Sequence, residues 1–128
     1  MAGFATDIER DTRQNDNFRK VIFTAPHSQL VLMSLKPGEE IGSEVHPNVD
    51  QFFRIEVGEG KVVIEGKETP ISDGSAIVVP AGNRHNVINT GSGPLKLYTI
   101  YSPPNHPDGT IHRTKQEAEA YEARHHHS

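Results

Sequence analysis

The chain has 128 residues, no cysteine and a formal net charge of −4, with acidic and basic residues mixed along its length. A chain of this size is most simply one domain, and it buries roughly two thirds of its unfolded surface. The composition excludes a disulfide framework, a thiolate metal site and a cysteine nucleophile. It also offers no basic stripe that would bind a nucleic acid.

The sequence carries no pattern that predicts export or membrane insertion. Its longest apolar runs have four or five residues, whereas a membrane-spanning helix needs about 20. The first residues, MAGFATDIER, lack the basic and apolar regions of a signal peptide. We therefore expect a cytoplasmic protein with neither a membrane nor a nucleic acid as its partner.

In chain order, a polar N-terminal arm over residues 1–20 comes first, with a short helix or irregular start near residue 7. Runs rich in Val, Ile, Phe and Tyr then follow at 21–24, 29–35, 51–57, 61–65, 76–79, 85–89 and 95–101. Glycine and proline separate the runs, and helical periodicity is absent. Many short strands at this spacing predict an all-β sandwich or barrel over residues 21–103, in which Gly58 and Gly60 serve a hairpin.

The C-terminal part has a different character. Residues 104–124 are predicted to form a Pro-rich connector followed by a short C-terminal helix. Thr114 and Glu117 have the spacing of a helix capping box, and strong helix formers continue to residue 124. Residues 125–128 contain three consecutive histidines, and we interpret them as a tag or disordered tail outside the site.

Two clusters of polar residues within the predicted barrel are candidates for chemistry. In the first, Glu44 and His46 are two residues apart, a spacing that places both side chains on one face of a strand. Gln51 opens a new strand five residues after His46. The second cluster runs over residues 74–89 and contains His85.

The second cluster resembles the second signature motif of the cupin family. That motif is Gly, five residues, Pro, one residue, Gly, two residues, His, three residues, Asn. Gly74, Pro80, Gly82, His85 and Asn89 match every position. We interpret Asn89 and the glycines as structural.

The first cluster is similar to the family's first motif, with two departures. The glycines at both ends and His46 match in spacing, whereas Glu44 stands where the family usually has its first His, and Gln51 stands where it has Glu. The single carboxylate of the usual ligand set is thus exchanged between two positions. The resemblance covers roughly residues 20–103 and implies a double-stranded β-helix, which is a jelly-roll barrel.

Asp50 competes with Gln51 for the third ligand position, since the family motif allows three or four intervening residues. If Gln51 points inward, Phe53, Ile55 and Val57 follow it. If Asp50 points inward, the charged residues Arg54 and Glu56 are buried instead, which is costly without partners. Alternation therefore favours Gln51 and places Glu56 outside. This choice depends on the alternation of side chains over residues 50–57.

The resemblance implies one divalent metal ion, Mn, Fe, Ni or Zn, held by Glu44, His46, Gln51 and His85. Two imidazoles, one carboxylate and an amide oxygen suit these metals in a site with open positions. Tyr98 and Tyr101 have opposite parity on the following strand, so only one of these two candidate catalytic residues can face the interior.

Other histidines are set apart from this site. His106 and His112 lie in or just after the Pro-rich connector. We assign both to the surface rather than to the mouth of the pocket.

The family resemblance implies a small-molecule substrate and a homodimer. The first functional hypothesis is a metal-dependent isomerase, epimerase or lyase, similar to mannose-6-phosphate isomerase, that acts on a small sugar or oxygen-rich acid by Lewis-acid catalysis. An Fe- or Ni-dependent dioxygenase is the second hypothesis, and a metal-dependent binding module without turnover is the third.

Overall fold

A computed structural model describes residues 1–124, so the predicted tail at 125–128 lies outside the described residues. The elements are α1 (Ile8–Gln14), β1 (Arg19–Thr24), β2 (Gln29–Leu35), β3 (Asp50–Val57), β4 (Glu59–Ile64), β5 (Lys67–Ser72), β6 (Ala76–Val79), β7 (His85–Asn89), β8 (Leu95–Ser102), β9 (Ile111–His112) and α2 (Lys115–Arg124). Each predicted strand has a counterpart. The strands β5 and β9 were not predicted, because one is exposed and contains Pro70 and the other has two residues.

The strands form two antiparallel sheets that face each other. One sheet has the order β6-β3-β8-β2-β1-β9, and the other has the order β5-β4-β7. Residues 40–44 extend the smaller sheet, because Glu40 pairs with Ile88 and Glu44 pairs with His85 along β7. This arrangement confirms the predicted jelly-roll barrel, and it places the first polar cluster beside the second.

The alternation of side chains on β3 shows which of its residues face the barrel interior. Gln51, Phe53 and Ile55 are buried on the inner face, as predicted. The expectation that Glu56 faces outward is wrong, since Glu56 is buried as well. The register of β3 against β8 shifts between Ile55 and Val57, and such a bulge interrupts the period of two that the prediction assumed.

Gly58 marks the crossing from one sheet to the other. The predicted hairpin at this glycine is wrong, because β3 pairs with β6 and β8 whereas β4 pairs with β5 and β7. Gly58 has a φ of +98°, and a Cβ built there would lie 2.4 Å from the carbonyl oxygen of Pro94. Both the left-handed backbone and the close approach of the Pro94 segment require glycine at this corner.

The chain ends are held against the barrel by specific contacts. The Nζ of Lys96 donates to the carbonyl oxygen of Arg13 at 2.9 Å and to Asp16 at 2.8 Å, which ties α1 to β8. At the other end, the N–H of Glu117 donates to Thr114 Oγ1 at 3.1 Å, the cap that the sequence predicted for α2. Within residues 1–124 we find no helix with the length and apolarity needed to span a membrane.

Candidate metal centre

Three separate stretches of chain bring the predicted metal ligands together. The N–H groups of Glu44 and His85 each donate to the other residue's carbonyl oxygen at 2.9 Å. Residues paired directly in this way point their side chains to the same face. His46 follows Glu44 by two residues and shares that face, and Gln51 enters from β3 in the opposite sheet.

The ligand atoms of this cluster converge. Glu44, His46 and His85 each offer an atom that lies within 4.8 Å of the others. The Nε2 of His46 is 3.8 Å from Oε1 of Glu44, and the Nε2 of His85 is 3.1 Å from Oε1 of Gln51. These separations are compatible with one small cation bound among the atoms.

The hydrogen bonds of His85 decide which atom it presents. Its Nδ1 lies 3.0 Å from the carbonyl oxygen of Asn83, which can only accept, so Nδ1 carries the proton. In the form of the ring that binds metals, with the proton on Nδ1 alone, the lone pair is at Nε2. The amide nitrogen of Gln51 donates to Thr99 Oγ1 at 3.0 Å, which turns the amide oxygen toward that lone pair. Two acceptors that face each other at hydrogen-bonding distance repel unless a proton or a cation lies with them.

His46 supplies a second observation that fits a metal. Its Nε2 is buried and has no hydrogen-bond partner. Buried polar atoms are normally satisfied, so an orphaned imidazole nitrogen that faces a carboxylate and another imidazole indicates a missing partner. Two imidazoles, a carboxylate and an amide oxygen are suitable ligands for Mn, Fe, Ni or Zn.

Asp50 lies outside this cluster. Its side chain is exposed, and its carboxylate accepts a hydrogen bond from the N–H of Ala81 at 2.9 Å. Gln51, in contrast, has 2% of its surface exposed. Of the two rivals for the third ligand position, the structure therefore places the side chain of Gln51 in the barrel, whereas that of Asp50 bonds to the turn after β6.

The two candidate tyrosines lie on opposite faces of β8. Tyr101 is buried, and its ring meets that of His46 edge-on with the ring centres 6.0 Å apart. Tyr98 is half-buried and its ring contacts Phe52 on the outer face of the sheet. Tyr98 is therefore not part of the interior, and the candidate catalytic role remains with Tyr101.

A cavity of about 370 Å³ opens beside the cluster. Its walls include two of the predicted ligands together with residues from the arm, the connector and α2. The lining residues are Arg19, Glu44, Val45, His46, Asn105, His106, Pro107, His112, Tyr121 and Glu122. The assignment of His106 and His112 to the surface is therefore wrong. A larger groove of about 530 Å³ beside α1 contains no histidine, and so has no comparable ligand set.

The connector reaches the cavity because Gln29 holds it. The buried Gln29 accepts hydrogen bonds from the N–H groups of Asn105 and His106 at 3.1 and 3.0 Å, and it donates to the carbonyl oxygen of His106 at 2.7 Å. A polar residue within a strand gives no sequence signal for such a long-range partner. Its even spacing from the buried Val31 on the same strand was the one available indication that it points inward.

Burial keeps the groups beside the cluster uncharged. It raises the pKa of the Tyr101 hydroxyl well above its ordinary value, an effect that the nearby Arg19 offsets in part. Burial, followed by the charge of Arg19, lowers the pKa of His106 to about 3. The Nε2 of His106, which lines the cavity, lies 3.2 Å from the Tyr101 hydroxyl, so a phenol and a neutral imidazole share a hydrogen bond.

Comparison with known proteins supports the same assignment. The model of the Cupin domain matches residues 31–101 of this chain. The uncharacterized protein YrkC of Bacillus subtilis is 56% identical over 126 residues, which cover 93% of this chain and 67% of YrkC. An oxalate-binding protein of Thermotoga maritima is 31% identical over 68 residues, which cover 53% of this chain and 56% of that protein.

Among solved structures, BH2720 from Bacillus halodurans has a TM-score of 0.91 and 46% sequence identity, with 93% of this chain and 95% of that chain covered. The likeness thus extends beyond the barrel to both chain ends. The domain model matches more than half of the chain, and the barrel and the residue cluster are those that the two sequence motifs predicted. This chain therefore belongs to the cupin family.

Proposed function

We propose that this protein is a metal-dependent cupin that acts as an isomerase, epimerase or lyase on a small sugar or oxygen-rich acid. Glu44, His46, Gln51 and His85 would hold one divalent metal ion, Mn, Fe, Ni or Zn. The metal would supply Lewis-acid polarisation of a carbonyl or hydroxyl oxygen. The cavity beside the ligands has a volume in the range typical of small-molecule sites.

One observation carries the proposal. The Nε2 of His85 lies 3.1 Å from Oε1 of Gln51, and the buried Nε2 of His46 has no hydrogen-bond partner. A buried polar atom without a partner costs free energy. One cation among the three atoms would be a partner for all of them.

Tyr101 and His106 fit a role in proton transfer. Tyr101 retains its proton at neutral pH because burial raises its pKa, and His106 is unprotonated because burial lowers its pKa to about 3. A proton donor and a proton acceptor therefore lie side by side, next to His46. These are the two roles that enolisation of a hydroxy-carbonyl compound requires.

A relative gives independent support for an oxygen-rich ligand. The Thermotoga maritima protein that shares 31% identity over 68 residues is named as an oxalate-binding protein. Oxalate is a small molecule that presents only oxygen atoms. The same class of ligand suits a hard carboxylate-and-imidazole site with open metal positions.

The first test is metal content measured by mass spectrometry. The sample is the full chain with His125, His126 and His127 changed to serine, so that the tail binds no metal. We expect about one Mn, Fe, Ni or Zn per chain after reconstitution, and less than about a tenth of that in the His46→Ala/His85→Ala variant. The matched control, His27→Ala, changes an exposed histidine. Little metal in the parent protein would sink the proposal.

The second test separates the reaction classes. The metal-loaded protein is incubated in deuterium oxide with a panel of hydroxy-aldehydes, hydroxy-ketones and uronic acids, and NMR detects deuterium at the carbon beside the carbonyl. Exchange that depends on His46 and His85 supports isomerase or lyase chemistry. Consumption of dissolved oxygen with a chelating substrate would identify a dioxygenase instead, and saturable binding without either signal would identify a binding module.

A further inference from the structure

A buried arginine lines the same cavity as Glu44 and His46. Arg19 lies on β1, two residues before the buried Val21, so alternation turns its side chain into the barrel. Its side chain is 2% exposed, although it carries a full positive charge at any physiological pH. Arginine is almost never buried to this extent unless an anion accompanies it.

Within the part of the chain that the structure describes, Arg19 has a carboxylate partner only at long distance. Its Nη1 lies 3.4 Å from Nδ1 of His112 and 3.8 Å from a carboxylate oxygen of Glu122, whose side chain is 57% exposed. Arg19 also lies with its guanidinium carbon 5.4 Å from the centre of the Phe18 ring and has the Tyr101 hydroxyl as a hydrogen-bond partner, but neither of these partners is an anion. Its Nε is buried without a hydrogen-bond partner. A guanidinium has five N–H donors arranged for bidentate contact with an anion, and a long ion pair to an exposed glutamate is worth little.

The surroundings of Arg19 favour a single negative charge in the cavity. The neighbours His112 and His106 are neutral, because burial lowers both of their pKa values and the charge of Arg19 lowers them further. Among the described residues, Arg19 is the one lysine or arginine that lines the cavity, whereas two carboxylates, Glu44 and Glu122, also line it. The guanidinium of Arg19 can pair with one negative charge, whereas the second charge of a phosphate dianion would be repelled by the two carboxylates.

We propose that Arg19 binds the carboxylate of the substrate, so that the cavity selects a small hydroxy or keto acid over a neutral sugar or a phosphosugar. This inference rests on the proposed function, because the hydroxyl or carbonyl oxygens of the acid would lie at the side of the cavity formed by Glu44 and His46. A planar carboxylate matches the fork of the guanidinium and supplies the acceptor that Nε lacks.

A purely structural role is the competing interpretation, in which Arg19 fastens α2 through Glu122. The two interpretations differ in what Glu122→Gln does. If Glu122 is the partner that Arg19 needs, the variant loosens α2 and does nothing for anions. If Arg19 binds a carboxylate, Glu122 is a weak competitor, and its neutralisation leaves the affinity for an acid unchanged or raises it by about twofold.

The experiment uses glycolate, the smallest hydroxy acid, against glycolamide, its neutral isostere, and inorganic phosphate. The full chain is stripped of metal with a chelating resin, and a second sample is loaded with Zn²⁺. NMR follows the Nε–H resonance of Arg19, identified by its absence from Arg19→Lys, while calorimetry gives the affinities. Because the resonance is observed in the unmutated protein, the test does not depend on a variant that folds.

We expect glycolate to shift the Arg19 resonance saturably in both samples and to bind about tenfold more tightly than glycolamide. The preference disappears in Arg19→Gln and persists in the matched control Arg54→Gln, in which the altered arginine lies on the outer face of β3. A resonance that glycolate does not move, a preference for phosphate, or an unchanged preference in a folded Arg19→Gln variant would each overturn the inference.

The two samples separate this inference from the metal proposal. If Zn²⁺ binds but neither sample prefers glycolate, the metal centre stands and the role of Arg19 falls. If the metal-free sample prefers glycolate through Arg19 but no metal binds at His46 and His85, carboxylate recognition stands and the proposed metal chemistry falls.

Discussion

The cavity is lined by two regions of the chain that differ in origin. The candidate ligands Glu44, His46, Gln51 and His85 lie within residues 31–101, the part that the Cupin domain model matches. Most of the other residues that line the cavity lie outside residues 31–101. They belong to β1, the connector, β9 and α2. The first region is set by regular strand pairing, whereas the second is set by individual long-range hydrogen bonds and ion pairs.

This difference separates what the cupin barrel provides from what the segments outside the barrel provide. The barrel provides a rigid set of metal-ligand atoms, which on its own suits several reactions. The terminal segments provide Arg19, His106 and Glu122, which line the cavity beside the candidate ligands and, in our proposal, select the molecule that binds there. The nature of the substrate is therefore to be sought in the residues outside the family signature.

The largest expected effect is the loss of metal affinity when a candidate ligand of the barrel is removed. We expect Glu44→Ala to weaken metal binding by at least about 100-fold, because it removes the single carboxylate of the ligand set. The double variant Glu44→His/Gln51→Glu restores the usual cupin pattern, and we expect its affinity to be within about tenfold of the parent. Competition with a chelating indicator measures both, in protein with the tail histidines changed to serine.

A matched control is Glu40→Ala, which alters another glutamate of the segment that pairs with β7. Its metal affinity should equal that of the parent. Unchanged binding in Glu44→Ala would remove the carboxylate from the ligand set. A double variant as weak as Glu44→Ala would show that this barrel does not accept the usual cupin pattern of His at position 44 and Glu at position 51.

The sequence predicted the barrel side well for a physical reason. Residues two apart on a strand share a face, so spacing put Glu44 with His46 and Gln51 with Phe53, and the resemblance to the cupin motifs assigned these faces to the interior. The same rule failed at Glu56, because a bulge shifts the register by one residue after Ile55. Sequence periodicity contains no information about where a strand pair is interrupted.

The terminal side of the cavity could not be predicted in this way. Arg19 was left in the polar arm because the strand was taken to begin at residue 21, although Arg19 has the parity of Val21. His106 reaches the cavity through backbone contacts with Gln29, 77 residues away in the sequence. Contacts of this kind depend on the folded geometry of an irregular segment, which neither propensity nor periodicity describes.

An intermediate effect is expected where α2 meets the barrel. Ala118 is the buried residue of this helix, and Ala118→Asp places a carboxylate in its apolar contact. We expect the helix to detach, with a local cost of about 2 kcal/mol, while the barrel stays folded. Metal affinity should then change by less than about threefold, whereas the preference for glycolate over glycolamide should fall by at least about threefold.

The control for this variant is Ala120→Asp, the same substitution on the exposed face of α2. Hydrogen exchange of the α2 amides reports detachment, and calorimetry reports both affinities. If detachment of α2 reduces metal binding as strongly as it reduces glycolate discrimination, the division of the cavity into a metal side and a selecting side is wrong.

The smallest expected effect concerns the hydrogen bond that joins the two sides, between the Tyr101 hydroxyl on β8 and Nε2 of His106 in the connector. Tyr101→Phe leaves this buried nitrogen without its partner, so the free energy of unfolding should fall by about 1 kcal/mol. Tyr98→Phe removes a hydroxyl from the half-buried outer face and should cost less than about 0.5 kcal/mol. Urea unfolding at neutral pH, where Tyr101 keeps its proton because burial raises its pKa, measures both values. Equal losses in the two variants would mean that the Tyr101–His106 bond does not hold the connector to the barrel, and that Gln29 alone performs this role.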